Sequence, residues 1–124
     1  MRDLKNNSTV VSILPALSRA AAAYEDIVDT YGEGRKILAI LDIGGVAQGG
    51  TLDVVFTESD TEGGVYTALN TVAQKIAAGT TEVDLTPTKR FVKATATVAV
   101  AAVDFAVIAV VYNERYIPSN VSLI

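Results

Sequence analysis

Apolar side chains recur at every second position in two separate segments, and this spacing restricts what the chain can fold into. In residues 51–58 the side chains of Leu52, Val54 and Phe56 share one face of an extended strand. Residues 91–98 contain a second row of this kind, formed by Val92, Ala94, Ala96 and Val98. Because alternation with period two is typical of half-buried strands, both segments are predicted to be β-strands.

Two longer runs, residues 36–43 and 103–112, are almost continuously apolar and rich in Ile and Val. Such runs are expected of strands that are buried on both faces or lie near the middle of a sandwich. Glycine and proline separate the runs, and 124 residues are enough for one domain with one core. We therefore predict a mostly β, single-domain sandwich of the jelly-roll type. The predicted core residues are Leu52, Val54, Phe56, Val92, Ala94, Ala96, Phe105, Val107 and Ala109.

Two segments are candidates for short helices. Residues 15–30 place Pro15 at a possible first helical position before a run of alanines, which have high helix propensity. Residues 69–77 place apolar side chains at helical spacing, at Leu69, Val72, Ala73 and Ile76. Tertiary pairing can override such propensities, so strand and helix both stay open for these two segments.

Composition excludes several kinds of chemistry. The chain has no Cys and no His, which removes thiolate and imidazole metal sites, thiol nucleophiles and serine–histidine triads. A net charge of -4 argues against a partner recognised through its phosphates. We expect no enzyme activity, no cofactor, no metal and no nucleic-acid partner.

Neither a secretory signal nor a membrane span is expected. The start, MRDLKNN, is polar and leads into no apolar segment of signal-peptide type. Residues 98–112 are apolar but shorter than the roughly 20 residues that a spanning helix needs, and Asp104 lies near their middle. Two strands, or one long bent strand, are predicted there.

Three short motifs have a structural and a functional interpretation. The glycine-rich residues 44–50 lack the spacing of a phosphate-binding loop and are predicted to be a flexible hairpin connection. The acidic residues at 58, 60 and 62 lack the order of a calcium loop and are predicted to be a solvated turn. The basic residues at 89, 90 and 93 flank Phe91, and a partly buried strand with surface charge is preferred there over stacking on nucleic acid.

Three segments taken together resemble a group of small tailed-phage virion proteins: MRDLKNN, LDVVFTESDTEGGVY and KRFVKATATV. In that group a short Met-Arg-Asp-Leu start precedes a β-domain. An acidic Glu-Ser-Asp turn follows an amphipathic strand, and a Lys-Arg-aromatic-Val strand comes late. The resemblance runs over most of the chain in order.

The resemblance implies a capsid decoration, or cement, protein that binds the outer surface of a phage head and stabilises it, with no catalytic residue. Its implied partners are the major capsid protein and other copies of the chain, as a dimer or trimer. Its implied location is the virion surface, after assembly in the host cytoplasm. A tail or head–tail connector protein, and a small ligand-binding β-domain, stay open as alternatives.

The ends of the chain are predicted to be arms that contact a neighbouring subunit or the shell. Residues 1–7 form the first arm, residues 8–115 the domain and residues 116–124 the second arm, which ends in an apolar tip beyond Pro118. Tyr, Arg and aliphatic side chains are effective contact residues when they are buried at an interface. The predicted contact residues are Arg2, Leu4, Arg115, Tyr116, Ile117, Val121, Leu123 and Ile124.

Overall fold

The computed structural model describes residues 8–30 and 36–112. Within these ranges the regular secondary structure consists of β-strands. Strands are the outcome that the alternating pattern predicts, because each strand buries one face while its backbone bonds to its neighbours. In chain order the strands are β1 (Ser8–Arg19), β2 (Ala22–Asp29), β3 (Ile37–Val46), β4 (Thr51–Ser59), β5 (Thr67–Lys75), β6 (Gly79–Leu85), β7 (Phe91–Ala99) and β8 (Val103–Tyr112).

The strands form two antiparallel sheets around one core. Sheet A has the order β1-β8-β3-β6, and sheet B has the order β2-β7-β4-β5. Only β4 and β5 are consecutive strands within one sheet, so every other connection crosses between the sheets. This is the strand order of an eight-stranded jelly roll. The predicted fold class, a mostly β sandwich of the jelly-roll type, is confirmed.

The core lies between the two sheets, where the sequence pattern placed it. All nine predicted core residues are at most 2% exposed. Large and small side chains alternate within this layer, and in sheet B Phe56 pairs directly with Ala94 of the neighbouring strand. A small residue beside a phenyl ring lets the two sheets approach closely without a void.

The two candidate helices are strands. Residues 15–30 supply the last part of β1 and all of β2, with Ala20 and Ala21 at the corner between the sheets, and residues 69–75 belong to β5. The helical interpretation is wrong because edge strands pair with β8, β7 and β4, and this pairing outweighs alanine's local preference. Pro15 lies in an edge strand, beside an irregularity in the pairing of β1 with β8, where its missing N–H is tolerated.

The apolar run of residues 98–112 is divided between two strands rather than forming a single element. It ends β7, turns at residues 100–102 and continues as β8 in the other sheet. No helix in the described part of the chain is long and apolar enough to cross a membrane.

The glycine-rich residues 44–50 do not form a hairpin connection. Gly44 and Gly45 lie within β3, where the pairing with β8 shifts, and the turn follows at residues 47–50. A hairpin is ruled out because β3 and β4 belong to different sheets. At Gly50 an added Cβ would come within 3.0 Å of the carbonyl oxygens of Ala47 and Ala101, so glycine permits this close crossing.

Val100 has a backbone conformation that is rare for a β-branched residue. Its φ is 72°, and the N–H of Ala101 donates to the carbonyl of Ala99 at 2.8 Å, which closes a three-residue turn around it. The Val100 side chain is 78% exposed, so little burial offsets this strain.

Replacing Val100 with glycine is therefore expected to stabilise the domain by about 1 kcal/mol. Relief of a strain of about 1–3 kcal/mol outweighs the greater entropy of glycine in the unfolded chain, which costs roughly 0.5–1 kcal/mol. Denaturant unfolding measures the change. Ala101→Gly is the control, because Ala101 has no positive φ and its substitution should lower stability. A loss of stability in Val100→Gly, or an equal response of the two variants, would contradict the assignment of strain to Val100.

Candidate interaction surface

The outer face of sheet A is apolar at its centre. Outward side chains of β8 and β3 lie side by side there; Leu38, Ile40, Ile108 and Val110 are half-buried, and Ala106 is buried. Val10 of β1 extends the surface to the sheet edge and is 68% exposed. We call this surface the apolar face; its residues are Val10, Leu38, Ile40, Ala106, Ile108 and Val110.

The apolar face arises from the two long hydrophobic runs of the sequence. β3 and β8 lie in the middle of sheet A, as expected, and their inward residues are buried in the core. Their outward aliphatic residues other than Ala106 are half-exposed, because the described strands form only two layers. Of the two expected placements, the position near the middle of a sandwich is therefore the one observed, and it leaves an apolar surface that is half-exposed among the described residues.

Acidic side chains border the apolar face. Asp42 and Asp104 lie at one end of it, and Glu82 and Asp84 lie along β6; all four are exposed. The hydroxyl of Thr80 donates to Asp42 at 3.2 Å. Lys36, one residue before β3, and Arg19, turned into the core, are the basic residues in or next to the described strands of this sheet. The border therefore has an excess of negative charge.

The outer face of sheet B, which we call the polar face, has the opposite character. Arg90 donates to both carboxylate oxygens of Asp29 at 2.7 Å, and its guanidinium stacks on Phe91. Lys93 lies 3.8 Å from Glu25 and 4.2 Å from the centre of the Tyr66 ring. The basic patch is thus matched by carboxylates and partly buried, as the preferred interpretation of residues 89–93 predicts.

Tyr66 remains neutral beside Lys93. Desolvation, and then the negative charges of Glu62 and Glu25, raise the pKa of the Tyr66 phenol above its ordinary value. The phenol donates to the backbone carbonyl of Glu62 at 2.7 Å. The ring therefore serves as a platform for the Lys93 ammonium and keeps its proton at neutral pH.

The acidic residues of 58–62 do not act together. Glu58 is buried and accepts hydrogen bonds from the backbone N–H of Thr88 at 2.8 Å and from its hydroxyl at 3.4 Å. Asp60 and Glu62 are exposed in the following turn. Among the described residues, no group of three or more carboxylates is placed to hold a metal ion. Glu58 therefore has a structural role that the sequence did not indicate, since it fastens the connection between β6 and β7 to β4.

Arg19 is a buried cation at the corner between β1 and β2. Its side chain is 8% exposed, and the guanidinium stacks between Tyr24 and Phe105, at 5.2 Å and 5.1 Å from the ring centres. It donates to the carbonyl of Pro15, while its Nε atom has no hydrogen-bond partner among the described residues. These contacts join the two sheets where the chain crosses between them.

Two depressions on the described part of the chain contact sheet A. One, of about 330 Å³, lies beside the apolar face, and Leu17, Asp42 and Asp104 contribute to its wall. The other, of about 380 Å³, lies along the connection from β5 to β6, next to the exposed Ile76. The first depression extends the apolar face towards its acidic end.

The contact residues predicted in the two arms lie outside the described residues. This holds for Arg2 and Leu4 at the start and for Arg115, Tyr116, Ile117, Val121, Leu123 and Ile124 at the end. Ser8 pairs with Tyr112, so the chain enters and leaves sheet A on adjacent strands at the same end. Both predicted arms therefore continue from neighbouring points at that end of the sheet.

No protein-family model matches the chain, and no curated protein sequence does. Solved structures with a similar course of the chain include one of infectious bursal disease virus, Gt strain, with 11% identity and a TM-score of 0.49; the match covers 90% of this chain and 34% of the viral chain. This chain thus spans about a third of the viral chain's length.

Two further similar structures belong to different kinds of protein. Chitosan-binding module 1 from a chitosanase/glucanase of Paenibacillus sp. IK-5 has 13% identity and a TM-score of 0.48, over 90% of this chain and 99% of the module. A chain of Bacillus endospore appendages, described as disulfide-linked pili, has 18% identity and a TM-score of 0.42, over 85% of this chain and 88% of the other.

Proposed function

We propose that the chain is a non-catalytic structural protein of a phage virion, a decoration protein that binds the outer surface of the head and stabilises it. The observation that carries this proposal is the apolar face, an aliphatic surface at the centre of sheet A with no covering layer among the described residues. The sequence resemblance to small tailed-phage virion proteins supports a phage head as the assembly to which the chain binds.

A sandwich with an apolar outer surface on one sheet only suits a protein that functions by binding to other proteins. Burial of an aliphatic side chain contributes about 1.5–3 kcal/mol, and residues of the apolar face have not yet gained all of it in the single domain. The polar face, by contrast, satisfies its charges internally with the pairs Arg90–Asp29 and Lys93–Glu25. The domain therefore has one surface suited to assembly and one suited to water.

The copy number of the chain in purified phage particles tests the proposed function. A decoration protein is expected in hundreds of copies on the head, because it repeats with the shell. A tail or connector protein would be present in a handful to some dozens of copies. Quantitative mass spectrometry of purified particles, together with a reconstruction of the head, measures both number and location.

Particles that lack the chain test whether the chain stabilises the head. Their heads are expected to release DNA at a lower temperature than wild-type heads, and purified chain added back should restore the wild-type temperature. Absence of the chain from the particles, or a copy number typical of a ring, would overturn the decoration proposal.

A further inference from the structure

We propose that the apolar face is the contact between two copies of the chain, which pack sheet A against sheet A about a two-fold axis roughly parallel to β3 and β8. The inference rests on the proposed function in one respect, that the apolar face is an assembly surface. It adds the occupant of that surface, a second copy, and the way in which the two copies are oriented.

Strand register divides the face into rows that cross the sheet. The row nearest the chain ends contains, from β1 to β6, Val10, Val110, Leu38 and Asp84. The next row contains Ser12, Ile108, Ile40 and Glu82. In both rows the two central positions are aliphatic, and the acidic residue lies only on the β6 side.

This pattern is self-complementary under a two-fold axis along the strands. A two-fold axis between β8 and β3, roughly along the strands, keeps each row opposite itself and exchanges its two ends. Val110 of one copy then lies over Leu38 of the other, and Ile108 lies over Ile40 of the other. Aliphatic side chains thus meet aliphatic side chains across the whole centre of the contact, as an isologous interface requires.

The acidic β6 edge favours the same axis, although this axis also keeps the Asp42 and Asp104 ends of the two copies at the same end of the contact. A two-fold axis perpendicular to the strands would instead place β6 of one copy over β6 of the other. Glu82 and Asp84 would then lie close to the same two residues of the other copy, and these like charges would repel. The axis along the strands instead places each acidic β6 edge over the β1 edge of the other copy, where Val10 and Ser12 are uncharged.

The size of the face fits a dimer of modest affinity. Four strands at a spacing of about 4.8 Å, over about eight residues at about 3.3 Å each, give roughly 500 Å² per copy. The total, roughly 1,000 Å², is near the lower limit for a specific protein interface. We therefore expect a dimer that dissociates on dilution rather than a permanent one.

Sedimentation velocity tests the inference. The concentration series runs from about 1 to 100 µM, the range in which an interface of this size is expected to dissociate. The wild-type chain is expected to show a reversible monomer–dimer equilibrium. Ile108→Asp should raise the dimer dissociation constant more than tenfold. Val55→Asp is the matched control, since Val55 is a half-buried aliphatic residue in a central strand on the polar face, and it should leave the constant within about twofold.

Charge changes at Val10 test the orientation and avoid a folding defect, because Val10 is exposed on an edge strand. Val10→Asp faces Asp84 of the second copy and should weaken the dimer more than tenfold. Val10→Lys faces the same carboxylate and should tighten it about threefold. Adding Asp84→Lys to Val10→Asp should restore the wild-type constant.

Several results would overturn the inference. They are a monomer throughout the series, equal losses in Ile108→Asp and Val55→Asp, or the same response to both charges at Val10. If deletion of residues 113–124 newly exposes the face to a hydrophobic dye, the chain's own carboxyl-terminal segment is the occupant instead. A dimer in solution that is absent from particles would leave the inference intact and refute the proposed function, whereas a monomer bound in hundreds of copies to heads would do the reverse.

Discussion

Replacing Phe56 with alanine is expected to lower the free energy of unfolding by about 4 kcal/mol. The Phe56 ring is fully buried in β4, a central strand of sheet B, and its neighbour across the pairing, Ala94, is too small to fill the space that the ring would leave. The midpoint of thermal unfolding should fall by roughly 15 °C in a domain of this size. Denaturant and thermal unfolding of the purified domain measure both values.

Val55→Ala is the matched control in the same strand. Val55 points to the polar face and is half-exposed, so its truncation should cost less than about 1 kcal/mol. A loss at Val55 equal to that at Phe56 would mean that the two faces of β4 are equally buried, which contradicts the two-layer architecture.

The strands that the sequence identified best are those whose two faces have different environments. In β4 and β7 every second residue is buried in the core and the residues between them face water, so the apolar period equals the structural period. Leu52, Val54, Val92 and Ala96 could therefore be placed in the core without any knowledge of the topology.

Edge strands were harder to identify, for a physical reason. β2 and β5 each pair on one side only, and few of their side chains are buried, so their apolar residues show no clean alternation. In such segments local propensity dominates the sequence pattern, and alanines in residues 20–23 or the spacing of Leu69 and Val72 suggest a helix. The backbone pairing that decides the outcome comes from residues distant in the chain, which local patterns do not include.

The sequence predicted the central strands that form the apolar face, but it did not predict that their outward side chains are exposed. The continuous apolar runs of β3 and β8 correctly indicated central strands, but an outward Ile40 or Ile108 has the same sequence signature whether a third layer covers it or water does. The number of layers follows from the topology of all eight strands. Only the topology therefore shows that these outward side chains form a surface rather than a second buried layer.

The apolar tip of the carboxyl-terminal segment is the second place where a large effect is expected. If the chain is the proposed decoration protein, replacing Val121, Leu123 and Ile124 together with serine should weaken its binding to the phage head about 100-fold. Burial of each such side chain contributes about 1.5–3 kcal/mol when complete, so three partly buried ones account for about 3 kcal/mol. Binding of the purified variant to heads that lack the chain measures the loss.

A control in the same segment separates apolar contact from chain length. Replacing Ser119, Asn120 and Ser122 with alanine keeps the length and the apolar tip, and binding should change less than about threefold because no aliphatic contact is lost. The serine variant should also unfold at the wild-type temperature, since the predicted arm contributes its contacts to the assembly rather than to the core. If that variant instead unfolds at a lower temperature while each folded molecule binds heads as tightly as wild type, the tip packs on its own domain and the arm prediction is wrong.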